Sequence, residues 1–187
     1  MRQGALDMRM DPTCGLSAAD WVNHAPEAEI ADVIWRYGEE RFSRQIARKI
    51  LQVRSTQPIT TTLQLADLIA QAVPKRDPSK HPATRSLQAI RMKVNQELED
   101  VEQCLQKALT HLTLQGRLVV ISFHSLEDRL VKHFMREHST PKRLPKGLPV
   151  MDDITHQAPL RVLGKAMRAS DEEVSGNVRS RSAMLRI

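Results

Sequence analysis

The stretch RLVVISFHSLEDRLVKHF, residues 117–134, decides how the chain is read. The apolar run Leu118, Val119, Val120 and Ile121 stops at Ser122-Phe123-His124-Ser125. A second apolar pattern, Leu126, Leu130, Val131 and Phe134, then begins at helical spacing. A continuous rather than alternating run predicts a strand over residues 117–123, buried on both faces. Ser125 ahead of the helical pattern, with Asp128 three residues on, predicts an N-cap with a capping-box-like partner. Upstream, Leu87, Ile90, Val94, Leu98, Val101, Leu105, Ala108 and Leu112 step by three and four. That stripe predicts one long helix from near Pro82 to about Leu114. Helix, strand and helix at this spacing predict an α/β unit with a parallel sheet.

Further towards the N-terminus, residues 17–73 read as short helices. Ser17 before AADWV is a good N-cap, with Asp20 three residues later. A second helix covers residues 27–37 and ends at Gly38, a residue suited to a C-cap. EERFSRQIARKILQVR, residues 39–54, carries Phe42, Ile46, Ile50 and Val53 on one face. TLQLADLIAQAV, residues 62–73, ends before Pro74, and PKRDPSKHP, residues 74–82, reads as a linker. After His138 the text is loop-like, STPKRLPKGLP, followed by two short strand candidates at residues 160–164 and 182–187.

The 187 residues suffice for one domain, or one domain with a small insertion. The formal net charge of +6 favours a polyanionic partner such as nucleic acid, or else a solvated basic surface. Cys14 and Cys104 lie far apart, with no CxxC and no disulfide framework, which fits a reducing, cytoplasmic setting. No apolar run approaches the roughly 18 residues of a membrane span.

The chemistry-bearing residues divide into two groups. Ser122, His124 and Ser125 fall at the carboxyl end of the expected strand, where ligands bind in open α/β sheets. The stretch lacks the glycines of G-x-S-x-G, which argues against a serine hydrolase. The seven histidines form no HExxH or Cys/His cluster, so no metal site is expected. All seven glycines are isolated, so no GxGxxG or Walker loop exists. The basic residues form the second group. Residues 36–93 hold twelve Lys and Arg against four Asp and Glu. Arg41, Arg44 and Arg48 share a helix face opposite the apolar stripe, and Lys75, Arg76, Lys80, His81 and Arg85 cluster around the linker. Such groups grip phosphates without reading sequence; an exposed, solvated helix face is the plainer explanation for any single Arg.

Four phrases together resemble one family: LDMRMD (residues 6–11), KHPATRSLQAIRMKVNQEL (80–98), ISFHSLEDRLVKHF (121–134) and RSRSAMLR (179–186). Their order and spacing are similar to the bacterial small-subunit rRNA cytosine-N(4) methyltransferases, over essentially the whole chain. Family members use S-adenosylmethionine and act on a cytosine at the ribosomal P site. They are longer, and begin with a Rossmann-like half that carries the glycine-rich cofactor loop. The resemblance therefore implies the C-terminal part of such an enzyme, inactive alone, with the cofactor bound mainly by the missing half. One departure is Leu114-Gln115-Gly116, where the family usually has Pro-Gly-Gly.

The resemblance implies a class I, Rossmann-like sheet with an inserted all-helical substrate-recognition domain. Residues 1–16 would follow the cofactor half, residues 17–80 would be the helical insertion, and residues 81–187 would finish the methyltransferase domain. The strand at 117–123 would be the fifth of that sheet. The two C-terminal candidates would be the sixth and seventh, the last antiparallel. Ser122, His124 and Ser125 would line the catalytic pocket. Lys80, His81, Arg85 and Asn95 would hold RNA, and Asp7, Arg9 and Asp11 would shape the mouth of the site. The expected partner is small-subunit rRNA or the small ribosomal subunit, with no membrane and with a homodimer as a possible assembly. The competing reading is an RNA-binding fragment with no catalysis of its own.

Overall fold

A computed structural model describes residues 3–74, 81–140 and 158–187. The chain divides into two compact units, Met1–Glu97 and Leu98–Ile187.

Five helices build the first unit: α1 (Ala18–His24), α2 (Glu27–Gly38), α3 (Ser43–Arg54), α4 (Thr62–Ala72) and α5 (Thr84–Val94). Their starts follow from local chemistry. Ser17 and Asp20 form a capping box on α1, and Thr61 and Gln64 form another on α4. The apolar stripes then meet in one core containing Ile30, Ile34, Ile46, Ile50, Leu65, Ile69 and Ile90. Polar side chains tie the helix ends together. Arg54 donates to the carbonyls of Val22 and Ala25, both at 2.7 Å, which satisfies the open C-terminus of α1. Asn23 accepts from the Ile59 amide at 3.0 Å and donates back to the Ile59 carbonyl at 2.9 Å.

Leu6 is buried in the helical core and its amide donates to the Thr60 carbonyl at 2.9 Å, so the residues before α1 pack with this unit. α5 packs on α2, and the unit runs to Glu97. One expectation for α2 changes. The left-handed residue closing α2 is Glu39, at φ 49°, and not Gly38. Gly38 is the last helical residue and is small for another reason: a Cβ there would lie 2.9 Å from the carbonyl oxygen of Arg85.

The long helix predicted from residue 82 to 114 is two helices. α5 ends at Val94 and α6 (Glu97–His111) begins after Asn95 and Gln96, the latter at φ 52°. The three-and-four spacing runs straight through this break, so periodicity could not show it. The stripe is shared instead between two cores, Ile90 in the first unit and Leu105 in the second.

The second unit contains α6, β1 (Val120–Ser122), α7 (Ser125–Ser139), β2 (Met167–Arg168), α8 (Asp171–Gly176), a 3-10 turn (Val178–Ser182) and β3 (Met184–Arg186). The strand order is β1-β3-β2, and β3 pairs antiparallel with both neighbours. Among the described residues no ladder is parallel, against the sequence expectation, although β1 and β2 share a direction because β3 opposes both. The strand is shorter than residues 117–123, and the candidate at 160–164 forms no strand. The Leu163 amide of that segment donates to the Ile187 carbonyl, just beyond β3, at 2.9 Å, and Leu160 packs in the apolar cluster that includes Val120.

The expected burial on both faces of β1 is also corrected. One face lies against α7, where Val131, Phe134 and Met135 form a small core with Leu105 and the partly buried Leu118 and Val120. The other face is open: Val119, Ile121 and Phe123 are 51%, 54% and 58% exposed. Between α6 and β1, Gln115 sits at φ 64° in the left-handed region, where the resembling family usually has glycine.

Candidate functional site

The predicted site residues fall into both units, and each group has its own geometry. In the first unit, the segment before α1 is fixed by Asn95. Its side-chain oxygen accepts from the Met10 amide at 2.7 Å, and its amide group donates to the carbonyls of Met8 and Arg91, both at 2.8 Å. Met8 lies at φ 63°, an unfavourable conformation for a residue with a side chain, and Asn95 grips the chain immediately after that twist, on either side of Arg9. Asn95, expected from the sequence to hold RNA, is thus engaged in anchoring the chain's own backbone.

Asp7 and Arg9 pair with each other rather than standing open to a ligand. The Arg9 guanidinium donates from Nε to Asp7 Oδ1 at 2.7 Å and from Nη2 to Asp7 Oδ2 at 3.0 Å. Its Nη1 reaches the Gly15 carbonyl at 3.2 Å, closing the loop between them. The hydrogen bond from Arg9 holds the Asp7 carboxyl below its ordinary value. The Thr13 hydroxyl and amide do the same for Asp11, at 2.6 and 2.9 Å. Met10 and Leu16 stay exposed on this loop.

His81 and Arg85 are exposed at the start of α5. His81 sets that start: its carbonyl accepts from the Thr84 amide at 3.0 Å, and its Nδ1 accepts from the Ala83 amide at 3.2 Å. Lys75, Arg76 and Lys80 lie outside the described residues. Arg44 and Arg48 are exposed along α3, whereas Arg41, also exposed, lies in the turn before it and not on the helix face that the spacing predicts. Arg41 stacks over Phe42 at 5.1 Å, and Arg48 approaches Glu27 at 3.9 Å.

In the second unit, the turn after β1 departs from expectation in its capping. The N-cap of α7 is His124, not Ser125. Nδ1 of His124 accepts from the Leu126 amide at 3.3 Å, so the neutral ring carries its proton on Nε2. Glu127 completes the capping box, its carboxylate accepting from the amides of Phe123 and His124 at 3.1 Å each. Ser125, the first helical residue, is exposed. Ser122 is buried, and its hydroxyl donates to the Met184 carbonyl at 3.3 Å, which ties β1 to β3 and turns it away from an open rim. Asp128, which the sequence suggests as a cap partner, instead makes a two-pronged pair with Arg186 at 2.7 and 2.9 Å. That pair clamps α7 onto β3, and its hydrogen bonds hold the Asp128 carboxyl below its ordinary value. Nothing in the sequence links the two, since 58 residues separate them.

Among the described residues, no group of three or more His, Cys, Asp or Glu could hold a metal ion. No helix there is long and apolar enough to cross a membrane.

A basic helical unit and a small antiparallel sheet covered by helices on one face define a mixed α/β protein. The family model described as the MraW methylase family matches residues 1–187, and the chain belongs to that family. It is similar along its whole length to proteins named ribosomal RNA small subunit methyltransferase H. Identity is 54% to that of Thioalkalivibrio sulfidiphilus, 54% to that of Alcanivorax borkumensis and 52% to that of Nitrosococcus oceani. The chain spans 60%, 60% and 59% of these relatives' lengths.

Proposed function

We propose that this chain is the RNA-facing part of an S-adenosylmethionine-dependent methyltransferase that modifies the exocyclic amine of a cytosine in small-subunit rRNA near the ribosomal P site. The observation that carries this reading is the family match over all 187 residues, with relatives named as small-subunit rRNA methyltransferases. The sheet would be the C-terminal part of a class I, Rossmann-like sheet, and the helical unit its substrate-recognition insertion. Its place of action would be the cytoplasm.

The described residues do not fit the cofactor. No glycine-rich turn follows β1, and the two amides that a cofactor hydroxyl could use there, of Phe123 and His124, already bind Glu127. The cofactor therefore belongs to the part of the family's length outside this chain, where it supplies the methyl group. This chain's residues would do the rest. Arg41, Arg44 and Arg48, with Arg85 and His81, would hold the RNA backbone by charge. The target cytosine would be unstacked, since its amine cannot be reached within paired and stacked RNA. Ser125 would present its hydroxyl oxygen to the amine hydrogens, which helps localise the nitrogen lone pair, and His124, with its proton on Nε2, would donate to a ring acceptor of the base and so orient it. Ser122 would support that turn from beneath.

The test is methyl transfer to small ribosomal subunits, measured for this chain alone and for the chain joined to the unmatched segment of the Thioalkalivibrio relative. Transfer is expected only from the joined protein. Substituting Arg85→Ala or His124→Asn should reduce it at least about tenfold. Asparagine retains a helix cap, so His124→Asn separates chemistry from capping. Wild-type rates in both variants would remove these residues from the site. The second reading, an RNA-binding module without catalysis, is favoured by the occupied turn amides. It predicts salt-dependent RNA binding and no transfer even from the joined protein.

A further inference from the structure

Away from the turn after β1, the second unit holds a cavity of about 380 Å³ between the C-terminal half of α7 and the segment that leads into β2. Lys132, Arg136 and Ser139 reach it from one face of α7, since residues three and four apart are neighbours on a helix. Lys165 lines it from the facing segment, and Arg186 from β3. Met135, Val162 and Leu163 supply an apolar floor. Among the described residues no carboxylate side chain lines it. The cations are unequally committed. Arg186 is held by Asp128 at 2.7 Å, whereas Lys132, Arg136 and Lys165 are exposed and make no ion pair among the described residues.

A plainer account covers only part of this cluster. The last turn of a helix favours a cation beside its carbonyls, which explains Arg136. It does not explain Lys165, which comes from another segment. Gly164, at φ 72°, turns the chain immediately before Lys165, and open space lies where a side chain would stand.

We propose that this cavity is a nucleotide-sized site for single-stranded RNA, with a phosphodiester between Lys132, Arg136 and Lys165 and the adjoining sugar and base against the apolar floor. Cations that converge without a carboxylate repel one another, and a bound anion relieves that repulsion. A phosphate accepts from several donors at once, here a guanidinium, two ammonium groups and the Ser139 hydroxyl. The volume lies within the usual range of small-ligand sites. The anion site rests on geometry, and RNA as the carrier of the phosphate rests on the proposed function. Arg136 stands roughly 16 Å along α7 from Ser125, so the contact holds RNA that flanks the target base and not the base itself.

The test is fluorescence anisotropy of a short, labelled, single-stranded RNA with the full chain over a range of salt. Arg136→Gln should weaken binding at least about fivefold and lower the salt slope by about 0.7, the share of one phosphate. Lys107→Gln, the same loss of charge on α6, should change affinity less than about twofold. Ala166→Trp fills the cavity without altering charge and should weaken binding at least about fivefold. All three positions are exposed, so these changes leave the core intact. A Ser139→Cys variant gives a second reading. RNA should slow alkylation of the thiol at position 139 at least about fivefold, resolved by peptide from Cys14 and Cys104. Equal effects of Arg136→Gln and Lys107→Gln, or undiminished binding by Ala166→Trp, would overturn the site. So would protection of that thiol by inorganic phosphate or polyglutamate but not by RNA. Weakened RNA binding in Arg136→Gln, with no methyl transfer from the joined protein, rejects the catalytic reading and leaves this site standing. Undiminished binding with intact transfer rejects this site alone.

Discussion

The two units solve the same problem to different degrees. In the first, five helices surround an aliphatic core whose central isoleucines are fully buried, and side chains such as Arg54 and Asn23 satisfy the backbone between elements. In the second, α6 and α7 cover one face of a sheet whose strands are two or three residues long, and the opposite face meets solvent. An antiparallel sheet can keep one face in water, so the two units differ in how completely their apolar residues are buried.

Core truncation sharpens the contrast most. Ile46→Ala should cost about 2–5 kcal/mol, seen in urea unfolding of the helical unit, whereas Ile121→Ala should cost less than about 0.5 kcal/mol despite the same chemistry. Equal losses would erase the distinction between the units. Gly38→Ala comes next. Its Cβ must displace the Arg85 carbonyl, at an expected cost of about 1–3 kcal/mol by the same measurement, with α5 shifted away from α2.

The clamp between α7 and β3 gives the second unit a pH dependence. The Asp128 carboxyl is held below its ordinary value of 3.8, so its contribution is fully present above the unfolded carboxyl's range. It is lost as pH falls below about 4 and through the lowered folded-state value. Asp128→Asn should cost about 1 kcal/mol near neutral pH and nothing once the wild-type carboxyl is protonated, read from the pH dependence of unfolding. The smallest effect is a gain. Gln115→Gly should stabilise the turn by about 0.5–1 kcal/mol, because glycine adopts φ 64° without side-chain strain.

Much of this is legible in the sequence. The helices of the first unit announce themselves through caps and through apolar steps of three and four, and the arginine face of α3 comes with them. The helix after Ser122-Phe123-His124 is equally plain. What escapes is set by distant contacts. Asn95 breaks the long helix because it is recruited by Met8 and Met10, some 85 residues away in sequence. Asp128 belongs to Arg186 rather than to its own helix start. The facing of the strand is hidden because LVVI looks uniformly apolar. Ser122 and Phe123, taken as part of the same alternation, are the signal that Val120 and Ser122 face one way and Ile121 and Phe123 the other. Spacing alone places the site residues in two groups, but it cannot show that Asp7 and Arg9 neutralise each other or that His124 is itself the cap.

Amide hydrogen exchange on the chain, resolved to peptides, tests the central claim directly. A sheet covered on one face should open locally, so amides of β1 and β3 should exchange far sooner than those of α2 and α5. Protection of β1 equal to that of α5 in the chain alone would mean the sheet is already complete, and would contradict the account.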